Sequence, residues 1–174
     1  MLEALGYEVI QTPLRARERS HRHGIPISEQ VAHTLRGKIE SAQRECSVPL
    51  VIVADTLVED PDDSLQPLGQ PANRLEALNM LLRLSGRNHR VWSGTAVIQG
   101  ETVQSWISSA TVSIESLADE ELEALIVSDS WRGKAGGYDL AGAMGQFAQI
   151  VDGEEETVLG FSPEIFPYLK SIIP

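Results

Sequence analysis

The sequence predicts an α/β fold, and three observations carry that reading. Apolar runs of strand length alternate with segments whose leucines and valines recur at helical spacing. Clusters of Gly, Pro, Asn and Asp punctuate them. The composition, 42% apolar and 22% charged over 174 residues, is ordinary for one globular domain long enough to bury a core.

Taken in order, Met1–Leu5 reads as the end of a helix stopped by Gly6, and Tyr7–Ile10 as a short strand. So abrupt an opening suggests an element upstream of Met1. Residues 11–24, rich in Arg and His, read as an exposed loop. Ser28 then caps a helix running to about Cys46, with Val31, Leu35 and Ile39 on its buried face. A buried strand spans 49–55 and leaves the sheet at Asp55. The Pro-, Asp- and Gly-rich stretch 59–71 reads as a loop. Asn73 with Glu76 is close to a capping box, opening a helix with Leu75, Leu78, Leu81 and Leu82 that closes at Gly86. Val91–Ile98 and Trp106–Ile114 are strands joined through residues 99–101. Asp119 caps a helix carrying Leu122, Leu125 and Ile126. A glycine-rich segment at 132–142, a strand near Phe147–Val151, an acidic turn and a helix opened by Ser162-Pro163 complete the chain.

The net charge of −11 and the lack of a long basic tract oppose a nucleic-acid polymer as partner. They permit a single nucleotide, for which a metal ion and a few local cations suffice. Cys46 is the only cysteine, which excludes an internal disulfide and a thiolate metal cluster. No apolar run reaches the roughly 18 residues that span a membrane, and no secretory leader opens the chain, so a cytoplasmic protein is expected.

The run Val51-Ile-Val-Ala-Asp-Thr56 carries most of the chemistry. A carboxylate closing a buried strand needs a partner, and a bound metal or a lysine would supply one. Ligands of open α/β sheets also bind at such strand ends. A helix or turn cap accounts for Val53-Ala-Asp-Thr56 taken alone. Lys38 and Lys134, taken alone, read equally as solvated residues. His89 reads as a structural hydrogen-bonding residue, because no second ligand stands at metal spacing, and His21 and His23 are a weak pair on a loop. The glycines of 133–145 do not form a dinucleotide fingerprint.

Five segments in order, VADT (53–56), LGQP (68–71), MLLRLSGRNHRVWSG (80–94), ADEELEALI (118–126) and GKAGGYDLAG (133–142), closely resemble the Maf family of septum-formation-like nucleoside triphosphate pyrophosphatases. The likeness runs from about Leu2 to Leu169. It implies an elongated mixed sheet flanked by helices, related to inosine triphosphate pyrophosphatases, with a cleft between two lobes. It also implies hydrolysis of a non-standard or pyrimidine nucleoside triphosphate to the monophosphate and pyrophosphate. A divalent metal, Mg²⁺ or Mn²⁺, and often a homodimer go with that activity. Position by position, Asp55 matches the proton-accepting, metal-holding aspartate and Lys38 a catalytic lysine that reaches the phosphates. Lys134 matches a second cleft lysine, and Thr56 a position associated with pyrimidine substrates. Gln70 stands at a substrate-binding position.

The chain departs from the family at four places. The family's opening Ser-x-Ser-Pro-Arg-Arg strand and loop are absent before Met1, so residues 1–174 are expected to be one domain lacking its N-terminal part. Gly69-Gln70-Pro71 replaces Gly-Lys-Pro and removes a cation from the phosphate site. Ala141 replaces a base-reading glutamine. An arginine-rich stretch around Pro13–Glu18 replaces an acidic loop. Each change removes a charge-assisted contact of the kind that holds phosphate. A catalytically impaired relative that binds a nucleotide or a protein partner is therefore the alternative to an active enzyme.

Overall fold

The computed structural model describes residues 2–3, 6–14 and 24–172. The expected helix end at Met1–Leu5 lies largely outside them, and residues 15–23 of the expected loop, with Glu18, His21 and His23, lie wholly outside. Tyr7–Ile10 forms no strand. Tyr7 instead anchors its segment by donating from its hydroxyl to Leu169 O at 3.3 Å.

Helix α1 (Ile27–Glu45) buries Ile27, Val31, Leu35 and Ala42 on one stripe. Pro26 holds the N-cap position and no side chain caps the first turn, so Ser28 is the second helical residue and not the cap. Strand β1 (Val51–Asp60) continues five residues past Asp55, correcting the expected strand end. Leu57 and Val58 are buried and extend the ladder, and Asp60 turns the chain by accepting from Asp62 N at 2.9 Å while pairing with Arg83. Strand β2 (Asp63–Leu68) then returns through the stretch expected to be a loop. Its Pro67 is tolerated opposite Glu59 because β2 is an edge strand.

Helix α2 (Arg74–Leu84) has the expected cap, with Asn73 accepting from Glu76 N at 3.0 Å and Glu76 from Ala72 N at 2.9 Å. Its buried residues are Ala77, Leu81 and Leu84, whereas Leu75 and Leu82, two of the leucines noted in the sequence, are 67% and 52% exposed. Spacing of four and three residues places 77, 81 and 84 on one line toward the sheet. Strands β3 (Asn88–Gln99) and β4 (Thr102–Ile114) form the long central hairpin through Gly100, whose φ of 60° suits glycine. Helix α3 (Asp119–Val127) begins after Ala118 and not with Asp119 as cap; Glu121 accepts from Ala118 N at 2.7 Å. Strand β5 (Ala148–Asp152), the short α4 (Glu155–Val158) in the expected acidic turn, and α5 (Ile165–Ile172) follow.

The strand order is β2–β1–β3–β4–β5, and every ladder among the described residues is antiparallel. The α/β expectation of a sheet flanked by helices is met. On one face of the sheet α1 packs over Val53, Leu57, Ala96 and Ile98. On the other, Val58, Val91 and Val112 meet leucines of α2 and α3 together with Tyr138 and Met144. The far end of β3 is closed by Val97 against Ile165 and Leu169.

Candidate active site

Asp55 and Thr56 are neighbours in the middle of β1 and, by strand alternation, emerge on opposite faces. Asp55 faces α1, where Lys38 Nζ donates to Asp55 Oδ1 at 2.9 Å and to Ala54 O at 2.7 Å. The approach of α1 depends on Gly94, which pairs with Asp55 in register. A Cβ at 94 would come within 2.7 Å of Val31 and 3.2 Å of Leu35, so only glycine lets the helix lie this low. Lys38, one turn beyond Leu35, then reaches the strand. The pair is shielded: the side chains are 30% and 14% exposed, which strengthens their attraction relative to a surface pair.

Thr56 faces the other way. Its Oγ1 lies 2.8 Å from Ser93 Oγ, its register partner on β3, and Ser93 Oγ donates to Thr157 O in α4 at 2.6 Å. Around them Ser108, Thr157, Ser162 and Thr95 exchange further hydrogen bonds, including Ser162 N to Thr95 Oγ1 at 2.8 Å. These hydroxyls satisfy each other where the sheet meets α4 and the start of α5.

The glycine-rich segment supplies the third wall. Gly136, with φ of 71°, donates from its N–H to Gly69 O at 3.0 Å, and a Cβ there would meet Val58 at 2.9 Å. Glycine therefore lets this segment lie directly on β1. That contact carries Lys134 to the site, where its ammonium stands 3.4 Å from Asp139 Oδ2 in a more exposed pair than the first.

A cavity of about 410 Å³ joins these parts. Lys38, Asp55, Thr56, Gln70 and Lys134, the five residues expected at the site, all line it, as does Ala141. Val58, Val91, Leu140, Val158 and Leu159 give it an apolar side. The cavity thus offers cations, carboxylates and an apolar surface together, suited to a ligand with an anionic and a flat apolar part. Sequence reasoning missed Asp139 and Ser93. Asp139 was visible only as an acid five residues beyond Lys134, and Ser93 only as one small hydroxyl among many in β3 and β4. A groove of about 550 Å³ beside Val51–Ala54 and residues 7–12 has mainly apolar walls and holds none of the five.

His89 lies behind the cavity wall. It is buried, its Nε2 lies 2.8 Å from the Tyr138 hydroxyl, and burial lowers its pKa to about 4, so the ring is neutral at neutral pH. Burial likewise raises the Tyr138 phenol well above its ordinary range. The pair props Tyr138 in the cavity wall, in keeping with the structural role expected for His89. Among the described residues no three His, Cys, Asp or Glu side chains gather as a metal cluster.

The model of the family described as Maf-like protein matches residues 1–170. The chain belongs to the Maf family. Among its relatives, a dTTP/UTP pyrophosphatase of Novosphingobium aromaticivorans is 31% identical over 157 residues, covering 90% of this chain and 73% of that protein. One of Granulibacter bethesdensis is 32% identical over 123 residues, covering 70% and 56%. One of Bacillus anthracis is 33% identical over 111 residues, covering 64% and 56%. The matches to the latter two therefore span little more than half of each relative's length. Within this Maf-family chain, Gln70 and Ala141, two positions expected to depart from the family pattern, both line the cavity.

Proposed function

We propose that this Maf-family chain is a nucleoside triphosphate pyrophosphatase for uracil or thymine nucleotides. Water attacks the α-phosphorus, the bond to the bridging oxygen of the β-phosphate breaks, and the products are the monophosphate and pyrophosphate. The observation that carries this reading is the convergence of Lys38, Asp55, Thr56, Gln70 and Lys134 on one cavity. Relatives bearing the name dTTP/UTP pyrophosphatase supply the substrate class.

In this reading Asp55 accepts the proton of the attacking water. Lys38 orients that carboxylate with one hydrogen bond, pins it to β1 with a second through Ala54 O, and adds positive charge beside the reacting phosphate. Lys134 and Gln70 hold the departing phosphates, and Thr56 meets the nucleoside. Asp55 and Asp139 are hard oxygen donors lining the same cavity. Mg²⁺ and Mn²⁺ are commonly held by one or two carboxylates with substrate phosphates completing the shell, so this donor set fits an ion that arrives with the nucleotide. When bound, such an ion neutralises phosphate charge and acidifies water. No helix among the described residues is long and apolar enough to cross a membrane. A homodimer in the cytoplasm is the setting that accompanies this reading.

One observation favours the second reading, a nucleotide-binding protein with little turnover. Both cavity lysines are paired with aspartates, and position 70 carries a neutral amide. Pyrophosphate release across a nucleotide panel with Mg²⁺ and with Mn²⁺, beside calorimetric binding, separates the two. Release with UTP and dTTP above other nucleotides is the expected result. Binding without release selects the second reading, and neither binding nor release overturns both.

A further inference from the structure

The hydroxyl chain that begins at Thr56 has a direction, and that direction bears on what the cavity recognises. Ser93 Oγ lies 2.6 Å from Thr157 O and 2.8 Å from Thr56 Oγ1. A carbonyl oxygen only accepts, so two oxygens this close require the one Ser93 proton to lie between them. Ser93 is fully buried and has no other proton to offer. The hydrogen bond between the two hydroxyls must then be donated by Thr56. With its proton turned inward, Thr56 shows the cavity only lone pairs. Gly160 stands beside this oxygen, where a Cβ would rest in contact with Thr56 Oγ1 at 3.5 Å, and both residues line the cavity.

We infer that Ser93 is a positioning residue that locks Thr56 as a hydrogen-bond acceptor, so that the cavity selects a nucleotide presenting an N–H or O–H donor at this point. The inference rests on the pyrophosphatase reading and adds to it the polarity of the contact. The imide N3–H of uracil or thymine is such a donor. Cytosine presents a lone pair at the same ring position, and two facing acceptors repel. A sugar hydroxyl is the other donor a nucleotide carries, and the experiment separates it from the imide.

The test measures calorimetric affinities of the full chain for UTP, CTP, N3-methyl-UTP and 3′-deoxy-UTP, in the wild type, Ser93→Ala and Ser93→Thr. Binding is the readout, so the test works whether or not the chain turns nucleotides over. The wild type should prefer UTP over CTP and over N3-methyl-UTP by on the order of tenfold, the value of one hydrogen bond and its desolvation. A loss confined to 3′-deoxy-UTP would instead assign the donor to the sugar and overturn the imide assignment. Ser93→Ala frees the Thr56 proton to turn outward, and the UTP-to-CTP ratio should fall to within about threefold, while Ser93→Thr restores it. A merely structural role for Ser93 would weaken all nucleotides alike and leave the ratio unchanged, which overturns the inference. Should Ser93→Ala fail to fold, Thr56→Val at the cavity wall serves instead. It removes the acceptor without touching the Ser93–Thr157 bond, and must also collapse the ratio. Wild-type binding without preference overturns this inference alone, whereas no binding by any nucleotide overturns the pyrophosphatase reading with it.

Discussion

The two faces of β1 are built for different work. On the α1 face, Asp55 meets Lys38 in a charged, partly shielded pair, held there by the close approach of α1 over Gly94. On the opposite face, Thr56 joins a neutral, buried net of hydroxyls through Ser93. In the proposed function adjacent residues thus divide the labour, the charged face handling phosphate chemistry and the neutral one recognition. One cavity takes in both because it lies along the edge of the strand, reaching residues from either side. The lesson is physical: mixing the two sets on one face would place the carboxylate among hydroxyls that compete for its hydrogen bonds and blunt its basicity.

The largest way to break this division is at Asp55. Asp55→Asn keeps the shape and removes the base, so pyrophosphate release should fall by roughly 10²–10⁴-fold with the thermal midpoint little changed. A variant within tenfold of wild type removes Asp55 from the chemistry. The neutral face can be probed through His89, which backs Tyr138. Its pKa is lowered from 6.5 to about 4, so between those values the unfolded chain binds the extra proton. Stability is therefore full above pH 6.5 and is lost as pH falls toward 4, by on the order of 3 kcal/mol. Urea unfolding at stepped pH should show that slope, and His89→Gln should flatten it. A wild-type curve level through the window contradicts the buried neutral ring.

Smaller effects sharpen the contrast between the two ion pairs. Lys38→Met should cut turnover by roughly 10–100-fold, since it leaves a shielded carboxylate without that partner and removes charge near the phosphate. Lys134→Met should cost less than about tenfold, because its pair with Asp139 is the more exposed. Steady-state rates at saturating nucleotide decide the order, and a larger loss at Lys134 would move the centre of the chemistry to the glycine-rich segment.

Much of the candidate site was legible because the residues that line its cavity sit in local motifs: Asp55 and Thr56 in VADT, Lys134 in GKAGGY. The misreadings share a cause, which is that contacts between distant segments are not written locally. The apolar run stops at Ala54, so a strand continuing through Asp55 and Thr56 to Asp60 is apparent only once β3 and β2 pair with it. Pro67 and its acidic neighbours disguised β2, which an edge position permits. In α2 several leucines compete for the buried stripe, and the Asn73 cap and the sheet together choose 77, 81 and 84 over 75 and 82. Ser93 gained its meaning from register, 37 positions from Thr56. By contrast, the Asn73 cap, the Gly100 hairpin and the glycine-rich turn depend on neighbours in sequence, and they came through, whereas the caps expected at Ser28 and Asp119 fall at Pro26 and Ala118.

The most direct test of the division between the faces sets Asp55→Asn against Thr56→Val, measuring UTP and CTP affinity and single-turnover pyrophosphate release on the same preparations. The account predicts crossed losses. Asp55→Asn should lose release while keeping the UTP preference, and Thr56→Val should lose the preference while keeping release of UTP within about tenfold. If both substitutions instead lower release and preference together, the two faces of β1 act as one site and the account is contradicted.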